Sequence, residues 1–155
     1  MTLHATVPAE LRFTGLWHIR RDIFDFDSQW SGRFTGQGIF QPTETNRRAY
    51  AEEGSLQFAG LHSVKATRRY GYDIVSKSRV EVRFEDGRFF HHFDPAGQEA
   101  WAEHLCDADL YEVRYLFDAE DHWRAEWRVE GPRKNYRMVT RYDRDPARLQ
   151  RPLRS

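Results

Sequence analysis

A single cysteine, Cys106, and two methionines are all the sulfur that 155 residues carry. One thiol rules out an internal disulfide, and it rules out a zinc site built from paired cysteines. Glycine-rich phosphate loops, a serine nucleophile elbow and Cys-x-x-Cys pairs are missing too, so no cofactor and no metal is expected. No apolar run approaches the ~20 residues of a membrane-spanning helix, and Met1 to Glu10 lacks the basic-then-apolar order of a secretory signal. The chain therefore reads as cytoplasmic, with no membrane partner. Net charge is absent as well: 24 Lys and Arg balance 24 Asp and Glu, which leaves no global field to attract a polyanion. The balance is uneven along the chain. From His122 to Ser155 there are 10 basic and 4 acidic residues. No aromatic RNA-binding signature accompanies them, so the excess reads as a solvated strand face and nucleic acid is not expected as a partner.

What the chain has in quantity is aromatic side chains: 11 Phe, 7 Tyr and 5 Trp, residues that suit strands and bury large areas. Strand-like runs recur with turn signals between them, about nine in all, and 155 residues suit one domain spanning 1–155 with loose ends near 1–10 and 146–155. Phe13, Gly15, Trp17, Ile19 and Ile23 share one face of a first strand by period-two alternation. Phe34, Gly36, Gly38 and Phe40 share one face of a second, where glycine at that density marks a bend or a close backbone approach. A third and a fourth strand, Arg48 to Phe58 and Val64 to Ile74, align their apolar faces if Phe58 meets Val64, which brings Glu52 diagonally beside Arg68. Asp86-Gly87 signals a two-residue hairpin that pairs Phe84 with Phe89 and turns His91 inward and His92 outward. Asp94-Pro95 before Trp101 and Leu105 suggests one short helix. A closing meander then pairs Tyr111 to Phe117, His122 to Glu130 and Lys134 to Asp143. One apolar and one charged face along every strand calls for a sheet curled on itself. The predicted fold is all-β, a closed antiparallel up-and-down barrel, with a two-layer sandwich as the rival.

Two resemblances sit on these residues. Gly15-x-Trp17 on a first strand before a meander is similar to the opening signature of lipocalins, in which that Trp closes the barrel floor beneath an Arg from the last strand; Arg137 and Arg141 lie on the matching strand here. Over nearly its whole length the chain resembles a bacterial family of uncharacterised proteins, domain-of-unknown-function family 6314. The segments that carry this are Gly15-Leu16-Trp17 with Arg20, Tyr50-Ala51-Glu52-Glu53-Gly54, Arg69-Tyr70, Phe84 through His91, His104-Leu105-Cys106 leading to Asp109 and Tyr111, and Gly131 through Tyr136. The resemblance implies a lipocalin-like (calycin-type) barrel of no assigned activity.

Chemistry could reside in three places. Tyr50, Glu52, Arg68, Tyr70 and His91 point inward, where a carboxylate needs a partner, either a structural ion pair or a bound molecule. His104, Cys106, Asp109 and Tyr111 offer metal-ligand and nucleophile types, although a packed cysteine with loop hydrogen bonds accounts for them more simply. Gly131-Pro132 could present Arg133, Lys134 and Tyr136 at a barrel rim. The reading that follows is a barrel binding a small polar or anionic molecule, with Tyr50, Glu52, Arg68, Tyr70, His91, His104, Tyr111, Lys134 and Tyr136 as candidate ligand-binding residues. The alternatives are an enzyme using an inward Glu52/His91 acid-base pair and a scaffold that docks partners on its basic outer face. No feature specifies an oligomeric state.

Overall fold

The computed structural model describes residues 7–151. Ten strands follow one another up and down: β1 (Gly15–Asp25), β2 (Ser31–Glu44), β3 (Arg47–Phe58), β4 (Val64–Ser76), β5 (Arg79–Phe84), β6 (Phe89–Phe93), β7 (Glu99–Cys106), β8 (Asp109–Leu116), β9 (His122–Glu130) and β10 (Asn135–Asp143). All pairings are antiparallel, in the order β6-β5-β4-β3-β2-β1-β10-β9-β8-β7, so β1 joins β10 and the sheet curls into a nearly closed barrel. The two ends of the sheet, β6 and β7, share no backbone ladder. Side chains close that seam, with Phe93 4.3 Å from Tyr115 and Phe90 5.3 Å from His104 between ring centroids.

Period-two burial is visible in Trp17, Ile19 and Arg21 on β1 and in Val113 and Tyr115 on β8, which is what a sheet with one packed face requires. The glycines of β2 and β3 do what their density suggested. Gly36 faces Gly54, and a Cβ on either would lie within 2.3 Å of a backbone carbonyl oxygen across the strand pair. Only glycine lets the two backbones press together there, which sharpens the curvature closure needs.

Three sequence expectations change. The segment expected to hold a short helix is β7. Ala100 is buried and His104 partly so, while Trp101 and Leu105 are 65% and 66% exposed, so the four-residue spacing read as helical is an outward strand face. Asp94 caps a turn instead, accepting a hydrogen bond from the Ala96 backbone N–H. The β3–β4 register is offset by two from the expected one: Leu56 meets Val64, Glu52 meets Arg68 and Tyr50 meets Tyr70. A shift of two leaves every side chain on its face, so the apolar pattern cannot tell the two registers apart. In the β5–β6 hairpin, Val80–Phe93 and Val82–His91 pair as expected, but Arg83 meets Phe89 and Phe90 is the buried residue. Gly87 takes the positive φ, +92°, but Asp86 does not. The turn thus spans three residues and bulges, and the bulge rotates Phe90 inward.

The barrel has two different ends. At one, a single helical turn, α1 (Ala9–Arg12), drives Phe13 into the core, where its ring centroid lies 5.4–6.2 Å from those of Phe40, Tyr72, Phe93, Phe117 and Trp123. A 3₁₀ turn, Pro146–Gln150, packs its Leu149 nearby. Of the residues expected to be loose, Ala9 is buried at the floor, and 146–150 form a 3₁₀ turn held to the outer wall, its Leu149 buried and its Leu149 carbonyl accepting from Arg20 and Arg141; 1–6 and 152–155 lie outside the described residues. No described helix is long and apolar enough to cross a membrane. The other end, which carries the β1–β2, β3–β4, β5–β6, β7–β8 and β9–β10 hairpin tips, is the mouth.

Candidate functional site

The inward polar groups separate into two sets. The deeper set is self-contained. Arg21 of β1 crosses above β2 to grip Glu52 of β3 with two parallel hydrogen bonds, Nη1 to Oε1 at 2.9 Å and Nη2 to Oε2 at 2.8 Å. The path exists because the β2 residue opposite Glu52 is Gly38. A Cβ at Gly38 would sit 2.6 Å from the Tyr50 hydroxyl. That hydroxyl donates to Glu52 Oε2 at 2.5 Å, and Arg21 Nε donates to Thr140 Oγ1 at 2.8 Å. Burial pushes the Glu52 carboxyl up, but Arg21, its hydrogen bonds and the more distant Arg68 outweigh that and hold it below the usual carboxylate range. Arg21 likewise stays charged despite burial, because Glu52 compensates it. Burial drives the Tyr50 hydroxyl well above its ordinary value. Both carboxylate oxygens of Glu52 are committed, which is how a buried ion pair offsets its desolvation.

The expected partner of Glu52 was Arg68, and this is corrected. Arg68 does face inward directly across from Glu52, but it is exposed and forms no hydrogen bond or ion pair among the described residues. Arg21 is not among the candidates drawn from sequence, although it sits between Ile19 and Ile23 with the right parity for the inner face, and that alternation is the signal that marks it. His91 is half satisfied: its Nε2 lies 2.7 Å from the Tyr115 hydroxyl, while its Nδ1 is buried without a hydrogen-bond partner among the described residues. Burial, then the proximity of His104 and His92, lowers its pKa to about 3, so the ring is neutral.

The second set lines the mouth. Arg68 and Tyr70 come from β4 and Tyr136 from β10; His104 and Tyr111 face each other across the β7–β8 pair. Lys134, after the Gly131-Pro132 turn, donates to the Tyr111 hydroxyl at 2.8 Å and lies 3.4 Å from Asp109. The Tyr111 hydrogen bond is the main reason its pKa rises to about 12. Aromatic planes pack beneath these groups. Phe90 stacks on Phe84 at 4.5 Å and on Trp127 at 5.5 Å, with Tyr70 at 6.0 Å. His104 meets Phe90 edge-on. Burial raises the Tyr136 hydroxyl, with Arg68 acting in the opposite direction. Beside Arg68, Tyr70 and Phe84 the surface forms a shallow, open hollow of about 520 Å³ that runs out to Asp86. Because β5 pairs only with Tyr70 to Ser76 of β4, the stretch Val64 to Arg69 has one strand neighbour instead of two, and the wall is low there. Of the nine candidates, Tyr50, Glu52 and His91 thus belong to the packed interior, and Arg68, Tyr70, His104, Tyr111, Lys134 and Tyr136 to the mouth. Cys106 is exposed in the β7–β8 hairpin, and no cluster of three metal-ligating side chains occurs among the described residues.

At the floor, an arginine does cover Trp17, but it is a different one from the two expected. Arg144, just past β10, lies 3.6 Å over the Trp17 ring and donates to the carbonyls of Leu16, Thr14 and Leu11. Arg141 points outward to the carbonyls of Arg148, Leu149 and Arg151, and Arg137 also lies on the outer face.

The family sequence model described as "Family of unknown function (DUF6314)" matches residues 13–144, from Phe13 at the floor to Arg144 above Trp17. The chain belongs to this family. No curated protein sequence matches it. Among solved structures it is similar to the S-type phycobiliprotein lyase CPES from Guillardia theta, at 9% identity and a TM-score of 0.63 over 91% of this chain and 94% of that one. It is also similar to designed barrels: a de novo fluorescence-activating β-barrel (16% identity, TM-score 0.48, 90% and 99% covered) and mFAP2b bound to DFHBI (10%, 0.49, 91% and 99%). The likeness to the lyase shows a shared barrel fold.

Proposed function

We propose that this protein is a binding barrel whose mouth receives a small acidic molecule, with Arg68 as the charge that recognises it. The observation that carries this reading is the contrast between two inward arginines. Arg21 is buried and bound on every side, whereas Arg68, directly across from Glu52, faces a carboxylate whose oxygens are already taken. A guanidinium held on an apolar inner wall without a protein partner is suited to a carboxylate or similar anion brought in from solution. Tyr70, Phe84, Phe90, Trp127 and Tyr111 would supply apolar contact, with His104, Tyr136 and Lys134 as polar groups around the rim.

The acid-base alternative fits the geometry less well. Glu52 is held ionised by Arg21 and His91 is held neutral by burial, so neither exchanges a proton easily near neutral pH. The test is titration of the protein with a panel of small aliphatic and aromatic carboxylates, followed by indole emission, since Trp127 borders the mouth. At least one should give a saturable change that Arg68→Ala weakens about 10- to 150-fold, the ~1.5–3 kcal/mol of a hydrogen bond to charge. No saturable response, or equal binding by Arg68→Ala, would overturn the proposal.

A further inference from the structure

A second cation cluster lies far from the mouth, on the outer wall at the floor end. Arg20 of β1, Arg141 of β10 and Arg124 of β9 are directly opposite one another across two successive strand pairs. Like charges facing each other across strands are destabilising, so a row of three needs compensation. Part of it comes from the 3₁₀ turn: Arg20 donates to the Leu149 carbonyl, and Arg141 to those of Arg148 and Arg151. Arg124 gains nothing from that turn. Its buried Nε lies 3.4 Å from Glu126 Oε2, an ion pair without hydrogen-bond geometry to an acid shared with Arg114, much as Arg20 Nε lies 3.4 Å from Asp22.

Between the 3₁₀ turn and strands β9 and β10 runs a cleft of about 490 Å³, within the ~300–1,000 Å³ usual for small-molecule sites. Arg124, Arg141, Arg148 and Arg151 line it, against Asp118 and Asp143. Both acids already have partners: Asp143 is 3.3 Å from Arg148, and Asp118 is 3.3 Å from the His122 imidazole. Trp123 reaches the inner wall of the cleft from the core, and its indole N–H is a further buried donor with no hydrogen-bond partner. Burial lowers the Arg141 pKa, with Arg20 and Arg124 acting in the same direction and Asp143 and Asp22 against it.

We infer that this cleft is an oxyanion-binding site, taking the phosphoryl or carboxylate group of a small molecule between Arg124 and Arg151, separate from the barrel mouth. Guanidinium forks match the oxygen spacing of both groups, and an added anion would complete the neutralisation of an arginine row that Asp22 and Glu126 compensate only in part.

Thermal unfolding of the full chain in inorganic phosphate, in succinate and in sodium chloride at matched ionic strength tests this, with Trp123 emission as the second readout. Phosphate or succinate should raise the unfolding temperature saturably, whereas chloride should not. Arg124→Gln and, independently, Arg151→Gln should each weaken the response at least ~10-fold, while Arg137→Gln, on the outer wall away from the cleft, leaves it unchanged. A response to phosphate alone assigns a phosphoryl group, and an equal response to succinate assigns a carboxylate. Stabilisation that follows ionic strength alone, or persists undiminished in Arg151→Gln, overturns the site. Should Arg124→Gln fail to fold, Arg151→Gln decides, because its exposed side chain forms no hydrogen bond or ion pair among the described residues.

Discussion

Replacing Arg21 with Met should be among the most damaging single changes in this barrel, and Arg68→Ala among the mildest. Met keeps much of the apolar stem of Arg21 but removes both hydrogen bonds to Glu52 and the one to Thr140. It leaves Glu52, 3% exposed, as a buried carboxylate with only the Tyr50 hydroxyl for support. Breaking one side of such a pair costs ~3–5 kcal/mol, most of it the penalty on the stranded charge. For a chain of this size that corresponds to a fall of about 6–20 °C in the unfolding temperature. Removing the stranded charge as well should restore stability. Arg21→Met with Glu52→Leu should recover at least half of the loss, and adding Tyr50→Phe should recover more, because the tyrosine hydroxyl would otherwise lose its acceptor, worth ~1–3 kcal/mol. Arg68→Ala, at an exposed position, should stay within ~0.5 kcal/mol of the parent. Urea unfolding followed by tryptophan emission measures all four. If Arg21→Met costs less than ~1 kcal/mol, or Arg68→Ala costs as much as Arg21→Met, the pairing of Glu52 with Arg21 is wrong.

Acid should destabilise the fold in two overlapping steps. His91 titrates near 6.5 when unfolded and at about 3 when folded. Its neutral form therefore stabilises the fold fully above pH 6.5, and that contribution, a few kcal/mol at ~1.4 per pH unit, drains away as pH falls toward 3. Glu52, depressed in the folded state, adds a loss below its unfolded value of ~4.3. Unfolding temperatures between pH 7 and 4 should fall less steeply in His91→Gln than in the parent; identical slopes would refute the assignment. Gly36→Ala should cost at least ~1–3 kcal/mol by denaturant unfolding, since its Cβ would sit 2.2 Å from the Glu53 carbonyl and only a backbone shift relieves that. Arg144→Ala should lower stability by ~1–3 kcal/mol and alter Trp17 emission, with Arg144→Lys restoring little, because a lysine cannot both cover the indole and reach several carbonyls. An unchanged emission spectrum in Arg144→Ala would count against the stacked geometry.

Which face of each strand lies inside was legible from residue order, because period two and the turn positions leave little freedom: Trp17, Glu52, Arg68, His91, Val113 and Trp127 all lie where alternation put them. The antiparallel order and the need for closure were legible in the same way, and glycine density marked β2 as a place where another backbone approaches. Local patterns with two solutions were read less well. Trp101 and Leu105 fit a helix face or an outward strand face, and only pairing with β8 chose the strand. The β3–β4 register was fixed by loop geometry that alternation does not encode, since a shift of two keeps every face, and the β6 bulge broke alternation outright by turning Phe90 rather than Phe89 inward. Partners across the barrel came from the folded chain alone. Arg21 and Glu52 lie on strands that are not neighbours, and they meet because β2 carries Gly38 between them and the sheet curls. The same curvature leaves Arg68 facing a carboxylate already taken, and sets Arg144, outside the last strand, over Trp17. Parity along a strand is a local property of the backbone, whereas contact across a curved sheet depends on twist, closure and the absence of an intervening side chain, which are settled together when the barrel forms.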